Sequence, residues 1–227
     1  MRILLTSDLH GVEQTFRSFS SALQGDYDLG VIAGDLLDDQ LPESALARLS
    51  HHPDQQNAIK TALVAKEARV ITVLKNAGKP VLVIPGNHDT TPLATDGTFI
   101  NIHMSKFDLD SLAFVGYGCV SRTLGPDLQM LSLHSIENLV TERTILVTHI
   151  PPRGTLDLKR DGGQMVSFGS GILAEMVSRR RPKFHFFGDA HGSVGVKGSA
   201  VNAAYPLVLS FCGVDTDTGE IWTERVQ

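Results

Sequence analysis

Apolar runs alternate along the chain with segments of helical periodicity, a pattern typical of an α/β protein. Helical spacing predicts helices at Val12–Leu23, at Pro42–Ala77 with a break near Pro53, and at Gly171–Arg180. The polar, turn-rich segment Pro85–Thr98 predicts a loop. Short apolar runs predict strands at Ile3–Thr6, Leu29–Ala33, Val81–Ile84, Leu112–Tyr117, Ile145–Thr148, Phe184–Phe187, Val194–Lys197, Leu207–Phe211 and Ile221–Glu224.

Length and composition restrict the class of protein. The 227 residues contain 42% hydrophobic side chains, which excludes a disordered chain. Neither a repeat nor a linker divides them, so we expect one domain over residues 1–227. The formal net charge of −5 argues against a protein that coats nucleic acid.

Two further features concern the cellular compartment. Cys119 and Cys212 are too few for a disulfide framework and are typical of buried thiols in a reducing environment. The apolar run after Met1 is too short for a signal peptide, and no run reaches the length of a membrane span. We therefore expect a cytoplasmic protein without a membrane partner.

Five of the predicted strands run directly into polar clusters rich in Asp, His and Asn. Binding sites in α/β sheets form outside the carboxyl ends of strands, so these clusters are expected to meet. Each cluster alone is a weak signal, but five together are hard to explain as surface turns. The clusters are Asp8-Leu9-His10, Gly34-Asp35-Leu36-Leu37-Asp38, Gly86-Asn87-His88-Asp89, His149 and Gly188-Asp189-Ala190-His191.

The residue types in these clusters are those of a metal site. Asp8 and His10 are two residues apart on an extended segment, so both can reach one ion, and Asp189 and His191 have the same spacing. Carboxylate, imidazole and amide ligands together suit Mn, Fe or Zn. The ligands suffice for two ions, roughly 3.5–4 Å apart in such sites. Asp35 is the natural candidate to bridge them.

The order of these motifs resembles that of the calcineurin-like metallophosphoesterases over residues 8–191. The segment from Thr148 to Asp157, followed by Gly169-Ser170 and a helix, is similar to the small bacterial and brain-type phosphodiesterase branch. The resemblance implies a four-layer αββα sandwich of two mixed β-sheets flanked by helices. It also implies two divalent metal ions, with manganese favoured and Fe, Zn, Ni or Mg as alternatives.

The resemblance also implies a role for each motif residue. His88 would stand over the substrate as proton donor or phosphate contact, and Asp38 would orient it. The first ion would be held by Asp8, His10, Asp35 and His191, and the second by Asp35, Asn87, His149 and Asp189.

Asp189 departs from the family pattern, which usually has His at this position. An aspartate can still bind a metal through oxygen, but it adds negative charge beside Asp8 and Asp35. We expect this charge to favour harder ions such as Mn over Zn.

The resulting hypothesis is a dinuclear phosphoesterase that hydrolyses small phosphodiesters by in-line attack of metal-bound hydroxide. A phosphomonoesterase remains open, whereas the Arg typical of protein phosphatases is replaced here by Asp39. A nuclease or nucleotide pyrophosphatase and a non-catalytic scaffold are the alternatives. The expected partner is a small phosphoester substrate, with nucleic acid disfavoured by the acidic charge and the oligomeric state left open.

Several residues have a structural alternative. Asp38 could cap the following helix, and His88 could be a third metal ligand. Asp89 is expected to brace its loop rather than to take part in chemistry. His185 lies inside an apolar strand and is expected to be a core histidine.

Basic residues outside the motifs also have two interpretations. Arg153 and Arg160 follow His149 and could contact a phosphate or remain solvated. The run Arg179–Arg181 at a helix end favours a solvated helix terminus over a nucleic-acid patch.

Overall fold

The computed structural model describes residues 1–37, 53–89, 93–118, 127, 131–204 and 210–225. Phe16, Phe19 and Leu23 lie on one face of the first helix and are fully buried. Ser170 caps the last helix by accepting a hydrogen bond from the Leu173 backbone N–H at 3.2 Å. The helices in the described residues are α1 (Glu13–Leu23), α2 (Pro53–Lys75), α3 (Gly171–Arg180) and two 3₁₀ turns, Leu131–Ser135 and Glu137–Leu139.

The first sheet has the strand order β14-β13-β1-β2-β3-β4. Its four strands β1 to β4 are parallel neighbours, whereas β13 and β14 complete one side in antiparallel pairing. The strands are β1 (Arg2–Thr6), β2 (Leu29–Ala33), β3 (Val81–Ile84), β4 (Phe99–Asn101), β13 (Ser210–Asp215) and β14 (Ile221–Arg225).

The second sheet has the order β11-β12-β10-β7-β6-β5. Strands β12, β10, β7 and β6 are parallel, and the edge strands β11 and β5 are antiparallel to their neighbours. The strands are β5 (Ser105–Leu109), β6 (Leu112–Tyr117), β7 (Thr144–Thr148), β10 (Phe184–Phe187), β11 (Gly195–Lys197) and β12 (Ala200–Asn202). A separate hairpin consists of β8 (Leu158–Asp161) and β9 (Gln164–Ser167).

Three apolar clusters hold the layers together. Alternate side chains of the two sheets, such as Ile3 and Ile145, form the central cluster between the sheets. Leu4 points the other way and packs with α1 and α2, and Leu146 packs with Met176 of α3. The resulting helix–sheet–sheet–helix arrangement is the four-layer sandwich of mixed sheets that the resemblance implied.

Of the helices in the described part of the chain, none has both the length and the apolar composition needed to cross a bilayer.

The strongest apolar runs gave correct element bounds. The strands Leu29–Ala33, Val81–Ile84, Leu112–Tyr117 and Phe184–Phe187 and the helix Gly171–Arg180 have the bounds predicted for them. The first part of the predicted helix at 42–77, the start of the strand at 207–211, and the residues Asp38 and Cys119 lie outside the described residues.

Five strands were missed by the sequence analysis. They are β4, β5, β8, β9 and β12, which are short or carry exposed polar residues, so no apolar run marks them.

Candidate metal centre

The parallel strands of both sheets deliver the predicted side chains to one region of the protein. Asp8 follows β1 and Asp35 follows β2, while His149 and Asp189 follow β7 and β10 of the second sheet. Asp8, Asp35 and Asp189 have φ angles of 61°, 51° and 61°, in the left-handed region that non-glycine residues rarely adopt. Such backbone conformations cluster at functional sites, where the surrounding structure enforces them.

Asp8, His10 and His191 form the first group of possible ligands. One ligand atom from each lies within 4.8 Å of the others. His191 Nε2 donates to Asp8 Oδ1 at 2.9 Å, and Asp8 is only 2% exposed. The fold therefore brings together three residues predicted to share an ion with Asp35. Asp8 and His10 have left-handed φ angles of 61° and 49°, not the extended backbone expected from their spacing.

Asp35 lies between two further groups. Its carboxylate belongs to one group with His10 and His88 and to another with Asp8 and His149, and the ligand atoms of each group lie within 4.8 Å of one another. Its Oδ2 is 3.9 Å from His10 Nε2 and 3.8 Å from His88 Nε2. Its Oδ1 lies 3.4 Å from His149 Nε2. The role of Asp35 as a bridge between two ions stays a prediction.

The imidazole of His149 is held in place by a backbone carbonyl. The ring is fully buried, and its Nδ1–H donates to the carbonyl oxygen of Ala33 at 2.8 Å. Its Nε2 faces Asn87 Oδ1 at 3.0 Å and Asp35. A metal-binding histidine is usually oriented in this way, with one ring nitrogen fixed by an acceptor and the other aimed at the ion.

Asp189 lies close to the other predicted ligands, but it is not a member of the three groups of possible ligands described above. Its backbone N–H donates to Asp8 Oδ2 at 3.1 Å. Its Oδ2 is buried and has no hydrogen-bond partner among the described residues. A buried carboxylate oxygen is costly unless something satisfies it, and a divalent cation fits this oxygen-rich surrounding. Its role as a ligand stays a prediction.

Burial and neighbouring charges shift the pKa values of the three carboxylates in different directions. Burial alone would raise the pKa of Asp8, but the hydrogen bond from His191 and the charge of His149 hold it below its usual value. Burial likewise opposes the ionisation of Asp35, and the adjacent His149 outweighs it and lowers the pKa. Asp189 differs, since burial and the charges of Asp8 and Asp35 raise its pKa to about 6.

The pKa values of His149 and His191 are both raised. Burial disfavours the charged form of His149, but Asp35 and Asp8 outweigh it and raise the pKa well above its usual value. The hydrogen bond to Asp8 is the main cause of the raised pKa of His191. The cluster therefore favours positive charge among its carboxylates, which is the charge that divalent ions supply.

Glycines are required where the motif loops touch the ligands. A Cβ at Gly34, which has a φ of 95°, would collide with the imidazole of His149. A Cβ at Gly188 would collide with Ser7 Oγ and with the carboxylate of Asp8. Any side chain at these two positions would displace a predicted ligand.

Asp89 braces two motif loops, as expected from the sequence. Its carboxylate accepts from the backbone N–H groups of Leu36, Leu37 and Gly86 at 2.9, 2.6 and 2.8 Å. The three bonds tie the loop after β2 to the loop after β3. Burial nevertheless raises the pKa of Asp89 to about 6.

His88 occupies a position between the ligands and solvent. Its side chain is 20% exposed, and its ring lies edge-on to that of His10 at a centroid distance of 4.7 Å. Its backbone N–H donates to Asp35 Oδ1 at 2.7 Å, which fixes the loop. Asp38, the predicted orienting partner, lies outside the described residues.

Residues outside the motifs take structural positions. Arg153 is engaged by Asp127 at 3.1 Å and by the carbonyl of Gly169, so it holds a loop. Arg160 is exposed on the β8–β9 hairpin. His185 is a core histidine whose Nε2 lies 2.9 Å from Thr148 Oγ1.

The helix end at Arg179 and Arg180 also has a structural explanation. Both side chains bind Glu137, with nitrogen–oxygen distances of 3.0 and 3.3 Å. These ion pairs fit the predicted helix terminus, and the exclusion of a nucleic-acid patch stays a prediction.

One residue beside the site was missed by the sequence analysis. Asn202, at the end of β12, is fully buried and hydrogen-bonds to the loop that carries Asp189 and His191. No signal marks it in the sequence, because the apolar pair Ala200-Val201 before it is too short to predict a strand.

Comparisons with known proteins identify a family and a fold for this chain. The family model of calcineurin-like phosphoesterases matches residues 1–193. No curated protein matches the sequence significantly. One solved crystal structure is 13% identical and covers 100% of this chain and 99% of its own, with a TM-score of 0.79.

Two further solved structures are similar over nearly their whole length. TT1561 of Thermus thermophilus is 15% identical and covers 100% of this chain and 99% of its own, with a TM-score of 0.64. An archaeal phosphodiesterase is 11% identical over 99% of both chains, with a TM-score of 0.47. At these identities the likeness to the first two structures shows the fold alone.

Proposed function

The chain belongs to the calcineurin-like phosphoesterase family, and from this premise we propose that it hydrolyses small phosphodiesters with the help of two divalent metal ions. The family match and the groups of possible ligands make the protein a metal-dependent phosphoesterase. We propose in addition a two-ion site, a preference for diesters and the residue roles given below.

The position of Asp35 carries the two-ion proposal. The carboxylate of Asp35 belongs to two groups of possible ligands, and its Oδ2 faces His10 and His88 whereas its Oδ1 faces His149. A second ion would also give a function to Asn87, to His149 and to the unpartnered oxygen of Asp189. We assign Asp8, His10, Asp35 and His191 to the first ion and Asp35, Asn87, His149 and Asp189 to the second.

The donor set also favours a particular kind of ion. Four of the proposed ligands offer oxygen and three offer imidazole nitrogen, and none is a thiolate. Mixed oxygen and imidazole sites suit Mn, Fe or Zn, and the extra carboxylate of Asp189 shifts the preference toward Mn. When bound, the two ions would supply Lewis acidity at phosphorus and activate the attacking water.

This chain's own residues would complete the reaction. Asp35, Asn87 and His149 would hold their ion rigidly, because the backbone bonds to Asp35 and His149 fix both side chains. His88 lies beside Asp35 with its ring partly exposed, where it could donate a proton to the leaving oxygen. We propose that Asp38 orients this imidazole.

The charge of the site supports a diester over a monoester. Asp8, Asp35 and Asp189 would offset three of the four positive charges of two divalent ions and leave about +1, which a bound hydroxide would lower further. That charge matches a phosphodiester, which carries one negative charge, better than a doubly charged phosphomonoester. The side chains of His10, His88 and His191 are 23%, 20% and 40% exposed, so a small substrate can reach them.

The experiment is a metal-by-substrate screen on protein stripped of metal. We expect the stripped protein to be inactive and Mn to restore more activity than Mg. We expect bis(p-nitrophenyl) phosphate to be hydrolysed faster than p-nitrophenyl phosphate, with cyclic nucleotides tested as natural diesters. Full activity after stripping would contradict the metal mechanism, and a strong preference for the monoester would contradict the charge argument.

A further inference from the structure

We propose that Asn202 is a positioning residue of the metal centre, which sets the geometry of Asp189 and His191 through the carbonyl groups of their loop. The inference rests on the ligand roles proposed above for these two residues. Asn202 lies outside the segment matched by the family model, which ends at residue 193.

The side chain of Asn202 is fully buried beside residues 188–193, the ligand loop that carries Asp189 and His191. Its Nδ2 donates to the carbonyl oxygen of Ala190 at 2.8 Å and to that of Ser193 at 3.2 Å. Ala190 stands between Asp189 and His191, so its peptide groups carry both ligands. Holding this carbonyl fixes the directions in which the two ligand side chains project.

The same amide connects a second loop to the site. Asn202 Nδ2 also lies 3.1 Å from the carbonyl oxygen of Leu156. That loop leads into the β8–β9 hairpin, whose Leu158 carbonyl accepts from the Gly192 backbone N–H at 3.0 Å. Asn202 therefore joins the ligand loop and the neighbouring loop at one buried point.

The pairing of β12 with β10 brings Asn202 next to the start of the ligand loop. Its partner in the parallel pairing of β12 with β10 is Phe187, the last residue before the Gly188–His191 loop. The next backbone N–H, from Ala203, donates to the Phe187 carbonyl at 2.9 Å. The ligand loop thus leaves the sheet directly beside a rigidly held amide.

The ligand loop depends on such external support. Asp189 has a left-handed backbone, and the N–H groups of Ala190, His191 and Ser193 bond only to carbonyls within the loop. The N–H groups of Asp189 and Gly192 bond outside it, to Asp8 and to Leu158, and Asn202 adds a side-chain anchor for the carbonyl groups. An apolar side chain at 202 would remove the hydrogen bonds from Nδ2 to the carbonyl oxygens of Ala190 and Ser193 and leave the loop free to relax. Replacing residues that orient metal ligands typically lowers metal affinity about 10- to 100-fold.

The test measures Mn binding to metal-stripped protein by titration calorimetry. We expect Asn202→Ala to bind Mn at least about tenfold more weakly than the parent. The control is Thr144→Val, which removes a buried hydroxyl that bonds to the Thr141 backbone N–H at the other end of β7. It should lower thermal stability but leave Mn affinity within about twofold, because the site is distant.

His191→Ala separates the positioning role from the ligand assignment. If His191→Ala loses Mn affinity while Asn202→Ala is destabilised but keeps it, Asn202 is a purely structural residue and the proposal is overturned. Retention of Mn affinity by His191→Ala would overturn the ligand assignment and the positioning role together. Should Asn202→Ala fail to fold, Asn202→Ser is measured in its place, with the same thresholds.

Discussion

Asp89 offers a direct test of how the site is built, because it supports two motif loops without being a proposed ligand. Its carboxylate is 1% exposed and accepts hydrogen bonds from the backbone N–H groups of Leu36, Leu37 and Gly86. The replacement Asp89→Ala would leave three buried donors without their acceptor. The loops that carry Asp35 and Asn87 would then lose their common anchor.

The cost can be worked out from two opposing effects. An unsatisfied buried N–H costs about 2 kcal/mol, so three cost about 6 kcal/mol. The pKa of Asp89, raised by burial to about 6 from 3.8, means that its ionisation costs the folded state about 3 kcal/mol, which the variant avoids. We therefore expect Asp89→Ala to lower the free energy of unfolding by about 3 kcal/mol near neutral pH.

The assay is urea unfolding of the metal-stripped protein, so that metal binding does not contribute to stability. Asp96→Ala is the matched control. Asp96 pairs with Lys75 at 2.9 Å but is 59% exposed, and its loss should cost no more than about 1 kcal/mol. If Asp89→Ala stays within about 0.5 kcal/mol of the parent, the bracing role is wrong.

Three further predictions concern single residues. His88→Ala should reduce turnover roughly 10²- to 10⁴-fold with metal content unchanged; a metal-free variant would show His88 to be a ligand instead. Asp189→His should shift the order of activating metals toward Zn or Ni in a metal titration, and an unchanged order would show that Asp189 does not touch the metal. Burial lowers the pKa of His185 to about 3, below its unfolded value of 6.5. The unfolded chain therefore binds a proton that the folded chain does not, and stability falls by about 1.4 kcal/mol per unit as pH drops from 6.5 to 3. Urea unfolding of His185→Phe across this range should lack that contribution, whereas curves parallel to the parent would contradict it.

The parts of the fold predicted from the sequence are those in which burial imposes a pattern. Strands such as Leu29–Ala33 are buried at every position, so their apolar runs have clear ends. Ser105–Leu109 and the β8–β9 hairpin are largely exposed, and their residues carry no such signal. Their strand structure comes from pairing within hairpins, β5 with β6 and β8 with β9, which requires no apolar pattern in the exposed strands.

The sequence likewise predicts some features of the candidate site and not others. Asp8, Asp35 and His149 could be found because each follows an apolar strand, and parallel strands end at one edge of the sheet. The sequence could not show that Asp35 lies centrally, since its distances to His10 and His149 arise from the packing of two sheets. Asn202 was missed for the same reason, because its contacts join backbone carbonyls that leave no trace in residue identity.

The number of metal ions bound per chain tests the central claim most directly. Elemental analysis of the Mn-loaded parent should find about two ions per chain. Asp35→Asn keeps the shape of the side chain but removes the charge shared by both ions, so both should be lost or weakened, whereas Asp96→Asn should retain both. A parent that binds a single ion, or an Asp35→Asn protein that keeps two, would contradict a dinuclear site bridged by Asp35.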